Sequence, residues 1–288
     1  MTGDNTAASV QHIGIVACSA EGAALCYRTI CIEGARYLGP HAHPEISIHA
    51  PSLADYTRHL DRDDWRGVGE LMLASAHTLA GAGADFLICP DNTIHRALPH
   101  VEPASPLPWL HIVDVVAEAA VARGFRRLGL TGTRWLVDGD VYLDRLSERG
   151  LTCVRPTPEE RDEINRIIMD ELVCGQFTPE AVAYFQRVFG RMKDDGCDAV
   201  ILGCTEIPLI MSDDNSPLPT LDSTRLLARA GRSGNSACCV IKGTLPFSNV
   251  FYLIINYLNI SAFFKKGNVP FIESRRPRAR VSAAARRR

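Results

Sequence analysis

The stretch GADFLICPDNTIH, Gly83–His95, returns later in the chain as GCDAVILGCTEIP, Gly196–Pro208. Each copy runs Gly-x-Asp, then a short apolar segment, then a polar cluster that opens with Asp91-Asn92-Thr93 or Cys204-Thr205-Glu206. The spacing agrees to the residue: Asp85 to Asp91 and Asp198 to Cys204 are both six steps. An apolar run of strand length that ends abruptly in polar residues reads as a buried parallel strand. In open α/β sheets the carboxyl ends of such strands are where ligands bind. Two strands of this kind, each delivering a proton-handling group, predict a site with one chemical group on either side of a small molecule.

A second echo lies upstream of each copy. HIGIVACSA (His12–Ala20) is answered by RLGLTGTRW (Arg127–Trp135), with Gly14 matching Gly129. The offset is 115 residues for this pair and 113 for the Gly-x-Asp pair. Nearly equal offsets for two separate signals point to internal duplication of a whole α/β unit.

Outward from these strands the pattern alternates. Strands are expected at 13–17, 46–49, 86–89, 109–112, 128–131, 154–156 and 199–202. Helices are expected between them, at 20–33, 65–82, 114–123, 138–149, 158–174 and 178–195, with Asp114 as a cap and Gly124 and Gly150 as stops. Alternation of this kind implies an α/β fold with parallel sheets covered by helices. The halves are expected at about residues 12–115 and 125–225.

The net charge of −2 conceals a split. Through Gly231, Asp and Glu outnumber Lys and Arg by 32 to 20, whereas the last 57 residues carry 11 Lys/Arg and the single acid Glu273. This 231–288 segment also holds five of the ten phenylalanines. Pro246, Asn249, Asn256 and Asn259 interrupt its apolar window, which argues against a membrane span. We read it as an atypical basic tail outside the core and poorly ordered, and expect neither nucleic-acid nor membrane partners.

Ten cysteines without a signal peptide suggest a cytoplasmic protein with free thiols. No C-x-x-C occurs, and His41 and His43 lie in the turn-rich GPHAHPE, so no metal site is expected. Cys26, Cys153, Cys174 and Cys197 read as core thiols, as does Cys89. Cys204 differs because a strand ends there, and a helix beginning at that point would lower its pKa. Asp91 is its counterpart. It either caps the following helix or, in a closed pocket, serves as a general base with a raised pKa. The amide, hydroxyl and imidazole of Asn92, Thr93 and His95 could hold a carboxylate.

The chain resembles the aspartate/glutamate/hydantoin racemase superfamily of cofactor-independent enzymes. The resemblance is carried by GIVACSAEGAALCYRTI, HPEISIHAPSLADY, GADFLICPDNTIH, RRLGLTGTRWLVDGDVYLDRL, EINRIIMDELVCG, GCDAVILGCTEIPLI and PLPTLDSTRLLARA, over about residues 12–230. It implies two flavodoxin-like halves related by pseudo-twofold symmetry, with the substrate between them and no cofactor or metal. Family members usually place a cysteine at each strand end, and the two cysteines move the α-proton on opposite faces. Here Cys204 stands at the second position and Asp91 at the first. Asn92, Thr93 and His95 match N-T-x-H, Thr205 and Glu206 match C-T-E, and Thr133 matches the loop after the second half's first strand. Ala17-Cys18-Ser19 replaces the usual Gly-Gly-Met. Arg28 and Arg166 are candidates for holding a side-chain carboxylate.

These observations lead to an amino-acid racemase with unlike bases, Asp91 and Cys204. The substrate would be a small amino acid or related carboxylate, and the protein a monomer or homodimer. A single-cysteine decarboxylase or cis-trans isomerase of a small diacid, and a non-catalytic ligand-binding relative, are the alternatives.

Overall fold

The apolar runs do become buried strands, and they sort into two sheets. A computed structural model describes residues 10–232. The tail reading therefore lies outside the described residues, except for the positions that end the last helix. The first sheet contains β1 (Ile13–Val16), β2 (Ile46–His49), β3 (Phe86–Ile88) and β4 (Trp109–Leu110), in the order β2-β1-β3-β4. The second contains β5 (Arg127–Thr131), β6 (Thr152–Val154), β7 (Ala199–Leu202) and β8 (Thr220–Asp222), in the order β6-β5-β7-β8. Every pairing is parallel. Two sheets of identical order are what the duplicated motifs predict.

Parallel strands need crossovers, and helices supply them. They are α1 (Ala20–Leu38), α2 (Leu53–Leu60), α3 (Trp65–Gly81), α4 (Leu98–Val101), α5 (Ile112–Ala122), α6 (Arg134–Val137), α7 (Val141–Ser147), α8 (Pro158–Arg166), α9 (Pro179–Asp194) and α10 (Ser223–Arg232). Ser19 starts α1 by accepting from the Gly22 amide at 3.2 Å, a cap worth about 1 kcal/mol. Thr157 and Glu160 form a reciprocal capping box on α8, which continues as a π-helical turn over Ile167–Leu172.

The Gly-x-Asp motifs acquire a structural meaning here. Gly83 and Gly196 adopt φ of 90° and 85°, the left-handed conformation that stops the preceding helix. The Asp85 carboxylate then accepts the His12 amide at 2.7 Å, at the start of β1. Asp198 likewise accepts the Arg126 amide at 2.6 Å and the Arg127 amide at 3.2 Å, at the start of β5. In each half this carboxylate ties together the two central strands at their amino ends.

Several expectations need correction. His111, not Asp114, caps α5, its Nδ1 accepting the Val113 amide at 3.2 Å. Asp114 instead pairs with Arg145 at 2.7 Å and Arg149 at 2.9 Å. The helix expected over 138–149 is shortened to α7, with the separate short α6 before it, and β6 begins and ends two residues earlier than the expected 154–156. Cys174 is exposed, not a core thiol. β8 and α10 were not anticipated, nor was α2. Gly124 and Gly150 do close α5 and α7, with φ of 79° and 68°.

The halves share a core. Ile13, Ile15 and Ile88 of the first sheet belong to one buried apolar cluster with Leu128, Leu130, Ile201 and Leu221 of the second. Helix α10 of the second half packs on both α1 and α5 of the first.

Candidate active site

In a sheet ordered 2-1-3-4, the chain leaves β1 toward one edge and returns beyond it to form β3. The switch of direction opens a crevice between the carboxyl ends of β1 and β3, and that is where α/β sheets bind ligands. By the same logic the second crevice lies between β5 and β7. The four loops at these ends carry Cys18-Ser19, Asp91–His95, Thr133 and Cys204–Glu206. The candidate residues of the two motifs, with Thr133, therefore fall at switch points, whereas Arg28 and Arg166 lie on α1 and α8.

Hydrogen bonds join the two sets of loops. The Ser19 hydroxyl meets the Thr205 hydroxyl at 3.1 Å, and the Thr93 hydroxyl meets that of Thr133 at 3.2 Å. Asn92 is engaged at both ends of its amide. Its Oδ1 accepts from the Tyr142 hydroxyl at 2.7 Å, and its Nδ2 donates to Ser223 Oγ at 2.9 Å. Ser223 donates onward to the Leu202 carbonyl at 2.8 Å, at the end of β7. Asn92 thus fastens the first half to the second, and only one of its amide hydrogens remains to meet a ligand.

Proton counting gives direction to one of these contacts. Thr205 Oγ1 donates to Glu206 Oε2 at 2.7 Å, which commits its single hydrogen. Ser19 must then donate to Thr205 while accepting from the Gly22 amide. The Cys204 thiol also donates to Glu206 Oε2, at 2.9 Å. A directed chain therefore runs from α1 of the first half to the buried Glu206 of the second, where it meets the thiol.

Asp91 accepts the amides of Thr93 at 3.0 Å and Ile94 at 3.3 Å, capping the 3-10 turn at Thr93–Ala97. It is both a cap and a perturbed acid. Burial and then the nearby Glu206 charge raise its pKa to about 6, against the bonds from Ile94, Cys18 and Thr93. That value lies in the range useful for proton transfer near neutrality.

The thiol expectation is reversed. Only a single 3-10 turn, Ile207–Leu209, follows Cys204, and burial with the Glu206 charge pushes its thiol well above the usual range. Cys204 is a reluctant thiolate, and therefore a strong base once formed. His95 also departs from expectation. It is buried, with Nε2 on the Cys89 carbonyl at 2.9 Å and its ring 4.6 Å from that of His111. Burial lowers its pKa to about 4, so it supports the loop as a neutral ring. Arg166 is paired with Glu163 and Glu171, and Arg28 is exposed on α1.

A groove of about 580 Å³ takes its walls from both halves, including Arg62, Trp65, Arg96, Arg134 and Trp135. The Arg96 guanidinium stacks 4.4 Å from the Trp65 ring, and Arg134 lies 5.3 Å from that of Trp135. Arg96 follows His95 and Arg134 follows Thr133, so the groove adjoins the switch-point loops. These arginines are missing from the sequence-based candidates because their motif neighbours mask them.

Comparison with known proteins agrees with this geometry. The Asp/Glu/Hydantoin racemase family profile matches residues 15–231. The chain belongs to the Asp/Glu/hydantoin racemase family. A broad-specificity amino-acid racemase from Bacillus subtilis is 22% identical over 194 residues, covering 65% of this chain and 80% of its own. A solved aspartate racemase homologue from Pyrococcus horikoshii is 28% identical with a TM-score of 0.67, covering 77% of this chain and 97% of that one. The aspartate racemase of Picrophilus torridus shares the fold at 18% identity and a TM-score of 0.64, over 78% of this chain and 94% of its own. Among the described residues, no helix is long and apolar enough to cross a membrane.

Proposed function

We propose that this racemase-family protein interconverts the enantiomers of an amino acid by moving the α-hydrogen between two faces, Asp91 serving one and Cys204 the other. The observation that supports this most is the pair of hydrogen bonds joining the switch-point loops of the two halves, Ser19 to Thr205 at 3.1 Å and Thr93 to Thr133 at 3.2 Å, which bring the loops carrying Asp91 and Cys204 together. Asp91 and Cys204 follow β3 and β7, the corresponding strands of the two sheets.

In this reading one group takes the α-hydrogen as a proton while the other, already protonated, delivers one to the opposite face. The electron pair left on Cα spreads into the α-carboxylate. The Thr93 and Thr133 hydroxyls bond to each other with one hydrogen, so the second hydrogen is available to that carboxylate. The Thr93 and Ile94 amides are already spent on Asp91, so the charge is met by other donors of the switch-point loops, the Thr93 and Thr133 hydroxyls among them. Such donors, fixed before the reaction, contribute the largest share of catalysis in chemistry of this kind.

Exchange of the α-hydrogen for deuterium in D2O, followed by proton NMR over the free L- and D-amino acids, tests the proposal. Wild type should exchange at least one pair of enantiomers and Cys204→Ser none. Full exchange by Cys204→Ser, or none by wild type on the whole panel, overturns it.

A further inference from the structure

We propose that a thiol also serves the first face: Cys18 exchanges the α-hydrogen there, while Asp91 takes that thiol's own proton in one direction of the reaction and returns it in the other. This deepens the two-sided reading above and rests on it.

Strand pairing brings the two residues to neighbouring loops. In the parallel pairing of β1 with β3, Ile15 is opposite Ile88. Cys18 follows the end of β1 by two residues and Asp91 follows the end of β3 by three, so both lie in the loops at the carboxyl ends of these paired strands. Cys18 is 5% exposed, and burial followed by the nearby Asp91 charge holds its thiol well above the ordinary range. The other thiol of this loop pair is differently employed. Cys89 reaches the Asp91 backbone carbonyl at 3.7 Å and leaves the carboxylate alone.

The second face shows the same chemical unit. There the Cys204 thiol donates to the Glu206 carboxylate at 2.9 Å. Each half thus presents one buried thiol beside one carboxylate. Their placement relative to each other is also fixed, because Ser19 bonds Thr205 at 3.1 Å. Cys18 precedes one partner of that bond and Cys204 precedes the other, so a single cross-half hydrogen bond separates the two thiol residues. The duplication broken in sequence at Asp91 is restored in space by a cysteine from the neighbouring strand.

The proton ledger closes. The Cys18 Sγ–H proton passes to Asp91, and the thiolate accepts the α-hydrogen as a proton. The Cα electron pair, delocalised into the carboxylate, is then protonated on the opposite face by Cys204. The cycle leaves Cys18 as a thiol, Asp91 protonated and Cys204 as a thiolate, and solvent carries the Asp91 proton back to Cys204. Burial keeps the Cys18 thiol protonated at rest, and the raised basicity of Asp91 suits it to receive that proton.

The test uses the full chain with Cys18→Ala, Cys18→Ser and Cys204→Ser, and the D2O exchange assay on the amino acid that wild type exchanges best. Cys18→Ala and Cys18→Ser should each lose at least ~100-fold in exchange rate, with thermal unfolding of the Ser variant within a few degrees of wild type. Serine keeps a hydroxyl for Asp91 but no accessible anion, so its inactivity separates proton transfer from loop support. Cys18 variants within threefold of wild type, when Cys204→Ser is inactive, overturn this inference and leave Asp91 as the direct base. Activity in Cys204→Ser instead overturns the two-sided reading itself. A second measurement needs no substrate. Iodoacetamide labelling of Cys18 at pH 8, followed by peptide mass mapping, should quicken at least ~10-fold in Asp91→Asn, because the charge that holds the proton on sulfur is gone. Equal labelling in the two proteins, or none in either, overturns the pairing.

Discussion

The Sγ of Cys204 lies 2.9 Å from Oε2 of Glu206 and donates its hydrogen there. Thiol and carboxylate are two residues apart on one turn, and Glu206 is 2% exposed. The carboxylate holds the proton on sulfur. Glu206→Gln should therefore lower the Cys204 pKa and raise its alkylation by iodoacetamide at pH 8 at least ~10-fold, one pKa unit being a factor of ten in thiolate. Site-resolved mass spectrometry checks this, and unchanged labelling would show that burial alone sets the thiol.

Asp91 should leave a signature in stability. Its folded pKa of about 6 is above the ordinary carboxylate value. Between about pH 4 and 6 the folded state holds a proton that the unfolded state has lost. Stability contributed by this group is therefore largest at low pH, falls as pH rises through that window, and is flat above it. Asp91→Asn retains an Oδ1 acceptor for the Thr93 and Ile94 amides and has no charge to bury. It should be more stable than wild type by about 3 kcal/mol at pH 7.5, with the difference fading toward pH 4. Paired thermal melts at pH 4 and 7.5 decide it.

Asn92 should behave as a structural bolt. Replacing it with Ala strands the buried Tyr142 hydroxyl and frees Ser223 from its donor. The expected cost is about 2–4 kcal/mol, since each unmet buried polar group costs about 1–3. Tyr142→Phe alone should cost about 1–2 kcal/mol. Urea titration of both single variants and the double variant should reveal coupling. Strict additivity would mean that the hydrogen bond carries no energy.

Gly22 has a packing reason to be glycine. A Cβ there would stand 2.5 Å from Thr205 Cγ2 and 2.9 Å from Ser19 Oγ. Gly22→Ala should push the Ser19 loop from the Thr205 loop, costing about 1–3 kcal/mol, with activity falling by more than stability explains. Adding Thr205→Ser removes the 2.5 Å conflict and should recover part of the loss. No recovery of the melting temperature would place the strain elsewhere.

Much of this was legible because duplication prints the same signal twice. Gly83 with Asp85 and Gly196 with Asp198 exposed two central strands, and the residues six steps after each aspartate marked the site. What was hidden is non-local. Short strand β8 sits inside PLPTLDS, where three residues cannot establish a period. His95 matches a motif, yet its ring turns to the Cys89 carbonyl, a preference set by packing that spacing does not encode. Cys18 looked like a mere departure from pattern. Its nearness to Asp91 follows from the pairing of β1 with β3, which needs the sheet order to be known.

Helix α10 gives the protein a timetable. Residues 223–232 belong to the second half, yet they cover α1 and α5 of the first, and space beside Gly231 is bounded by Ile13 and Ile88. As the chain leaves the ribosome, the first sheet is complete by Leu110 but keeps a bare greasy flank until more than a hundred further residues have emerged. The amino-terminal half is thus the portion most in need of a chaperone's shelter, and a message cut short before codon 223 would yield a sticky fragment rather than half an enzyme.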